Sequence, residues 1–169
     1  MRIENVDYME AAASASPKYT KNGGFLTTAG EGRVNTMTVS WWNIGYMWVR
    51  PVLTVMVRTS RFSFGLIEKA DEFTLTIPDP DLPDQLAAAG SISGRDGDKL
   101  AALGLTTMPG RETQVPVLSV PGLHYECRIM LKTAMDTQRM SSEITKYYGS
   151  GDYHTFYYGE ILASYRTKE

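Results

Sequence analysis

Residues 34–63 read VNTMTVSWWNIGYMWVRPVLTVMVRTSRFS, and the reading of the whole chain turns on them. The stretch opens with small hydroxyl and amide side chains alternating with apolar ones. It closes on Arg58 and Arg61 with Thr59, Ser60 and Ser63, two guanidinium groups and three hydroxyls within six residues. In a strand, successive side chains point to opposite faces, so Thr36, Thr38 and Ser40 share one face and Asn35, Met37, Val39 and Trp41 the other. A row of small hydrogen-bonding groups leaves room for a flat polar ring to approach the backbone. The competing reading is an ordinary barrel strand with a polar outer face and Met37, Val39 and Trp41 as core. At the far end, guanidinium forks, hydroxyls and backbone N–H groups at a helix N-terminus are what a phosphate requires. The competing reading there is a solvated turn whose hydroxyls cap a helix.

Working outward, VLTVMVR after Pro51 has the β-branched content of a buried strand, and residues 62–69 have helical spacing, with Thr59, Ser60 and Ser63 as caps. Residues 24–29 pair with 34–42 as a hairpin turning at Gly30 to Gly32. Upstream, Asn5 and Asp7 are N-cap candidates for a helix over residues 5–15. Downstream, EFTLTIP is a strand ended by Pro78 and Pro80. DLPDQLAAAGSISG is a helix stopped by Gly90, and DKLAALG a second one stopped by Gly104. HYECRIMLKTAM and TFYYGEILASYR are long strands, with a short helix and a Gly-rich turn between them. Many strands with short helices inserted predict a mainly β chain, a closed or nearly closed barrel rather than a doubly wound sheet. A length of 169 residues predicts one domain over 1–169.

Composition narrows the function. Apolar residues make up 43% and charged residues 21%, with a net charge of −2 and no basic stripe, which disfavours a nucleic-acid partner. The N-terminus lacks the pattern of a secretory signal, and no segment approaches the roughly 18 consecutive apolar residues of a membrane span. The expectation is a soluble, cytoplasmic protein with no membrane partner. The single cysteine, Cys127, excludes an internal disulfide and a cysteine-cluster metal site, and reads as a buried small hydrophobe. His124 and His154 lie too far apart for a structural zinc motif. His124 reads as the start of a strand and His154 as a surface residue. No Ser-His-Asp or Cys-His logic and no Gly-rich dinucleotide fingerprint is present, so hydrolase and Rossmann readings are weak. A last cluster, Ser91, Ser93, Gly94, Asp98 and Lys99, is either a ligand loop or a solvent-exposed connection.

Taken in order, NTMTVSWW at 35–42, the Arg50-Pro51 pair, RTSRFS at 58–63, EFTLTIP at 72–78, SISGRDGDKL at 91–100, the VP-x-L and YECR segments, and GDYHTFYYGEI at 151–161 resemble the flavin reductase-like family. These are FMN-binding split barrels that include flavoredoxin and the NAD(P)H:flavin oxidoreductases, and the resemblance runs from residue 17 to 165. It implies a Greek-key split barrel and a homodimer with FMN near the subunit interface. By position, Asn35, Thr36, Met37, Thr38 and Ser40 border the isoalloxazine with Trp41 beside it. Arg58, Ser60, Arg61 and Ser63 hold the phosphate, and Ser93, Gly94 and Lys99 approach the ring system. The chemistry lies at flavin N5, with hydride from NAD(P)H and no obligatory side-chain acid or base. Lys99 or a backbone amide would support charge at the N1/C2=O edge. Leu100 stands where the family often has Phe, and Tyr153 interrupts its Gly-Asp-His run. The rival readings are an electron carrier fed by a redox partner protein, and a cofactor-free assembly domain, against which the intact RTSRFS argues.

Overall fold

The computed structural model describes residues 1–168, and all their side chains but those of residues 18 and 19. Its strands are β1 (Arg2–Asn5), β2 (Gly24–Gly30), β3 (Arg33–Val39), β4 (Trp42–Met47), β5 (Arg50–Arg58), β6 (Glu72–Pro78), β7 (Thr107–Met108), β8 (Val117–Leu118), β9 (Gly122–Ala134) and β10 (His154–Lys168). Between them lie helices α1 (Tyr8–Asn22), α2 (Phe62–Ile67), α3 (Pro83–Ser91), α4 (Lys99–Ala102) and α5 (Ser142–Thr145). The main sheet is antiparallel throughout, in the order β3-β2-β6-β9-β10-β5-β4, with β1 also on β10. Its end strands β3 and β4 do not pair with each other, so the barrel is split, as the family resemblance implies.

Alternation explains the packing. Along β2, Leu26 enters the main core with Val55, Phe73, Leu75 and Tyr125, while the adjacent Phe25 points to the other face and packs with Leu86, Ala89, Leu105 and Leu118. That second cluster glues α3 to the outside of the sheet. α3 therefore lies across β3, and its C-terminal end faces the turn that follows β5. Cys127 is fully buried in the main core, as a small hydrophobe should be.

Four local expectations change. The N-terminal helix spans residues 8–22 rather than 5–15, because residues 2–5 form β1 by pairing with 165–168. Asp7 does cap it, accepting from the N–H groups of Met9 and Glu10. The helix ends at Gly23, whose φ of 80° is a left-handed conformation and where a Cβ would meet the Val39 carbonyl at 2.6 Å. Residues 34–42 are not one strand: β3 stops at Val39, and Trp42 begins β4, which pairs with β5 instead. The β4–β5 turn places Trp48 and Val49 at φ of 52° and 60°, the primed geometry that right-handed strand twist favours, built here without Gly or Asn. α3 runs one residue past Gly90. Finally, α2 begins behind Arg61 with no side-chain cap, so Thr59, Ser60 and Ser63 do not serve it as caps. No helix among the described residues is long and apolar enough to cross a membrane, and no metal-holding group of His, Cys, Asp and Glu occurs among them.

Candidate active site

Two adjoining cavities lie where β3, the β5–α2 turn and the α3–α4 loop meet. The first, about 120 Å³, is lined by Ser60, Arg61 and Ser63 from the turn, by Ser91, Ser93, Gly94, Arg95 and Lys99 from the loop, and by Asn35 and Met37 from β3. Its lining contains three cationic side chains and no carboxylate. The second, about 150 Å³, shares Met37 and Arg61 with the first and continues along Thr38, Val39, Ser40 and Trp41, with Met56, Arg58 and His154 on its other walls. Neither reaches the roughly 300 Å³ at the low end of small-molecule pockets. A larger ligand must run through both and stand partly outside.

The fold thus brings together nearly all the sequence-predicted site residues. Thr36 is the exception. It is fully buried and its hydroxyl bonds the Leu26 carbonyl at 3.2 Å, which binds the β2–β3 ladder rather than lining either cavity. Trp41 is not core: it is 40% exposed at the end of the second cavity. Arg58 lies in the second cavity, apart from Ser60 and Ser63 in the first.

Short bonds hold the walls in place. Asn35 donates to the Ser63 hydroxyl at 2.8 Å, Arg61 to the Gly90 carbonyl at 2.7 Å and Arg95 to the Ser60 carbonyl at 3.0 Å. Arg33 donates to the Gly94 carbonyl at 2.6 Å and lies over the Phe62 ring. Gly94 has no room for a side chain, since a Cβ would strike Asn35 and approach the Phe62 ring to 2.5 Å. Lys99 spends one N–H on the Ala89 carbonyl at 2.9 Å. Its burial, and then the charge of Arg61, lower its pKa to about 8. At neutral pH it is a cation with donors to spare, facing a cavity of hydroxyls and guanidinium groups. An anion is the ligand such a donor set suits.

A family model described as the flavin reductase like domain matches residues 18–169. The chain belongs to that family. An uncharacterized protein of Archaeoglobus fulgidus is 28% identical over 138 residues, covering 82% of this chain and 68% of its own. The solved flavoredoxin of Desulfovibrio vulgaris (Miyazaki F) superposes with a TM-score of 0.68 at 23% identity, over 86% of this chain and 69% of that one. The FMN-binding protein from Thermus thermophilus gives a TM-score of 0.65 at 25% identity, over 85% and 68%. Membership of the flavin reductase-like family supports a flavin-related function of the oxidoreductase type.

In this flavin reductase-like chain, the reading of motifs gave no site role to Asp152, Tyr148 or His154, nor to the lining residues Met56 and Arg95. Asp152, just before β10, accepts from the Ser60 N–H at 3.1 Å, the Ser60 hydroxyl at 2.7 Å and the Thr59 hydroxyl at 3.3 Å. Arg58 donates to the Asp152 carbonyl and, at 3.3 Å, to that of Tyr147. Much of the donor capacity of Arg58, Thr59 and Ser60 is therefore directed at one acidic residue of the same chain. Burial alone would raise the Asp152 pKa, but the bonds from Ser60 and Thr59 and the charge of Arg58 bring it below its ordinary value. His154 is not a surface residue: it is 8% exposed, and its Nδ1 lies 2.7 Å from the Tyr148 hydroxyl. Burial, then Arg58, lowers its pKa to about 4, so it is neutral at physiological pH. Trp41 stacks obliquely on His154 at 5.2 Å and meets Tyr147 and Tyr148 edge-on. Asp152 and Ser60 are 92 positions apart, a separation that leaves no local signal.

Proposed function

We propose that the chain is a flavoprotein that acts as one FMN-binding domain, with the phosphate in the first cavity and the isoalloxazine along β3 in the second. The observation that carries this reading is the continuity of the two cavities through Arg61 and Met37. A carboxylate-free end lined by Arg61, Arg95 and Lys99 adjoins a slightly larger end walled by Met37, Met56 and Trp41, with Arg58 and Arg61 beside them. Arg61, Ser63, Ser93 and Lys99 would hold the phosphate with Ser60, and Asn35 keeps Ser63 in register. Thr38, Ser40, Trp41 and Arg58 would border the ring. Bound FMN would supply hydride acceptance at its N5, with NAD(P)H as the donor. The chain's own part is to bind, to orient and, through Trp41 and the buried Tyr148–His154 pair, to exclude water. The working species is a homodimer with the cofactor near its interface. The cleft's openness and the exposure of Tyr46, Trp48 and Val49 on the β4–β5 hairpin support a covering second copy.

The visible spectrum of the purified chain, before and after FMN is added, tests the reading. Saturable appearance of perturbed flavin bands with micromolar or tighter affinity is expected; a colourless protein indifferent to FMN overturns it. Steady-state oxidation of NADH and NADPH by the flavin-loaded protein then separates a reductase from a carrier served by another redox protein. Sedimentation as a monomer at micromolar concentration would overturn the dimer.

A further inference from the structure

The first cavity is crossed on its loop side by an arginine that spends a donor on backbone. Arg95, exposed on the α3–α4 loop, donates to the Ser60 carbonyl of the β5–α2 turn at 3.0 Å, and both residues line that cavity. Neither lines the second cavity, which adjoins the first at Met37 and Arg61. Another arginine holds the same loop from outside the lining. Arg33, at the start of β3, donates to the Gly94 carbonyl at 2.6 Å and to the Gly97 carbonyl at 3.5 Å. Both guanidinium groups lie over Phe62, Arg33 at 4.7 Å and Arg95 at 5.9 Å from the ring centre, contacts that the ring quadrupole favours. The loop itself has no slack. A Cβ on Gly94 would strike the Asn35 side chain and meet the Phe62 ring at 2.5 Å, and at the loop's far end Asp98 caps α4 by accepting from the Ala101 N–H at 3.1 Å.

Phe62 and its two arginines thus form a latch at the phosphate end of the proposed flavin site. We infer that this latch selects the length of the flavin: it admits one that ends in a phosphomonoester and refuses a dinucleotide, whose phosphate carries an adenylyl group. The inference rests on the flavin reading of the two cavities. With the ring in the second cavity, whatever continues beyond the phosphate must leave the first one away from Met37 and Arg61, and there the Arg95–Ser60 bridge stands in its way. Passage requires breaking that bridge, moving Arg95 off Phe62 and lifting a loop that Arg33 holds by its carbonyls. Charge acts in the same sense. A phosphomonoester carries roughly −1.5 to −2 at neutral pH and presents three free oxygens, whereas a phosphoryl group within a diphosphate bridge has a single charge and one oxygen fewer. Arg61, Arg95 and Lys99 line the cavity with no carboxylate among them, so the monoester gains more there. An obstacle to the wrong ligand and a stronger attraction for the right one together give discrimination.

Spectral titration of the purified full chain with FMN, FAD and riboflavin tests it. The wild type should bind FMN roughly tenfold or more tighter than FAD, and riboflavin more weakly than FMN. Arg95→Ala removes the bridge and should cut the preference for FMN over FAD by roughly fivefold or more, whatever it costs FMN itself. Arg33→Ala takes nothing from the cavity lining and should cut the preference in the same sense by freeing the loop, a change that loss of a phosphate contact alone would not produce. Arg95→Lys keeps the charge, loses the planar fork and should resemble Arg95→Ala. Equal binding of FMN and FAD by the wild type overturns the latch and leaves the flavin reading standing. An unchanged preference in either alanine variant does the same, and so does a full preference retained by Arg95→Lys, which would make charge rather than closure the cause. Riboflavin binding as tightly as FMN overturns the latch as well, since no phosphate then lies beneath it. If none of the three flavins binds, the flavin reading fails and the latch with it.

Discussion

Opposite ends of β10 bury the same kinds of group in opposite ways. Near its C-terminal end, Glu126 is fully buried and accepts from the N–H groups of Arg111, Glu112 and Thr113 and from the hydroxyls of Thr113 and Tyr165. Burial by itself would raise its pKa, but those donors outweigh it and hold the carboxyl below its ordinary value. His124 is likewise closed in. Thr167 donates to the Val120 carbonyl, so His124 Nε2 must donate to Thr167, and Nδ1 is left to accept from Thr76. At the N-terminal end His154 has one tyrosine partner, and in the adjoining cavity Lys99 of α4 has one carbonyl partner; both line a cavity. The lesson is that burial of a charge does not mark a site; unspent hydrogen-bonding capacity beside a cavity does. The fully satisfied groups are structure, and the partly satisfied ones are available to a ligand.

The sharpest test of the closed end is Glu126→Ala. It strands three backbone N–H groups, that of Thr113 buried and those of Arg111 and Glu112 half-buried, together with the buried Tyr165 hydroxyl, and should cost roughly 3–5 kcal/mol, a large share of the roughly 5–15 kcal/mol that holds a domain together. Urea denaturation measures this. FMN affinity of the fraction that remains folded should not change. A loss below about 1 kcal/mol would show that the 110–113 loop finds other acceptors and that this end is less closed than its bonds suggest.

Lys99→Met should show the reverse pattern. FMN affinity falls by roughly tenfold or more, as expected for one charge-assisted bond, while stability holds or rises because an incompletely paired buried charge is gone. Two pH trends follow from the lowered pKa of about 8. Lys99 loses its charge as pH rises through that value, so wild-type FMN affinity weakens there and the variant's does not. Between about 8 and the ordinary lysine value of 10.5, the unfolded chain holds more protons, so the Lys99 contribution to folding improves with pH. Affinity and stability move in opposite directions across the same window. A variant that loses stability without losing affinity would move Lys99 to the structural side of the comparison.

The histidines give an effect that both ends share. Each has its pKa lowered to about 4, chiefly by burial. Between that value and an ordinary 6.5, the unfolded chain binds the extra proton. Stability conferred by the neutral rings is intact above 6.5 and is lost as pH falls toward 4, by roughly 1.4 kcal/mol per unit for a fully buried ring. Urea midpoints across this range should fall less steeply in His124→Gln and in His154→Gln than in the wild type. An unaltered slope in either variant removes that histidine from the account.

Most of the framework was legible in the sequence, because strands such as EFTLTIP and VLTVMVR carry their alternation and β-branched content locally. The polar strand and the RTSRFS turn were legible as candidate ligand surfaces for the same reason. Part of what was hidden depends on distance in the chain. β1 exists only because β10 offers it an edge, and the β4–β5 turn uses Trp48 and Val49 where a pattern search looks for Asn-Gly. His154 read as a surface group because nothing in GDYHT announces Tyr148 as its partner. Asp152 could not be tied to Ser60, since neither residue is unusual until the fold places them within 2.7 Å.

Asp152 belongs to neither end, and replacing it decides which side it serves. Its carboxylate engages the same Ser60 that lines the proposed phosphate cavity, so it acts as an internal anion beside the place where another must bind. It also fixes the turn that carries Arg58 and Ser60. Asp152→Asn removes the charge, keeps one acceptor for the Ser60 N–H and the Thr59 hydroxyl, and turns the oxygen that faces the Ser60 hydroxyl into an NH2 that can donate to it instead. Because the carboxylate is partly solvated, the repulsion removed is worth about 1 kcal/mol or less, and FMN should bind up to about fivefold tighter. Asp152→Ala removes the acceptor as well, lets the turn loosen, and should weaken binding. The gain in the Asn variant should shrink as salt rises from 0.05 to 0.5 M, on the order of the change that halves the Debye length or more. If Asp152→Asn weakens FMN at every salt concentration, the carboxylate does not compete with the ligand. Its charge then holds Arg58 and Ser60 in place, and the N-terminal end of β10 is partly closed in the way that Glu126 closes the other.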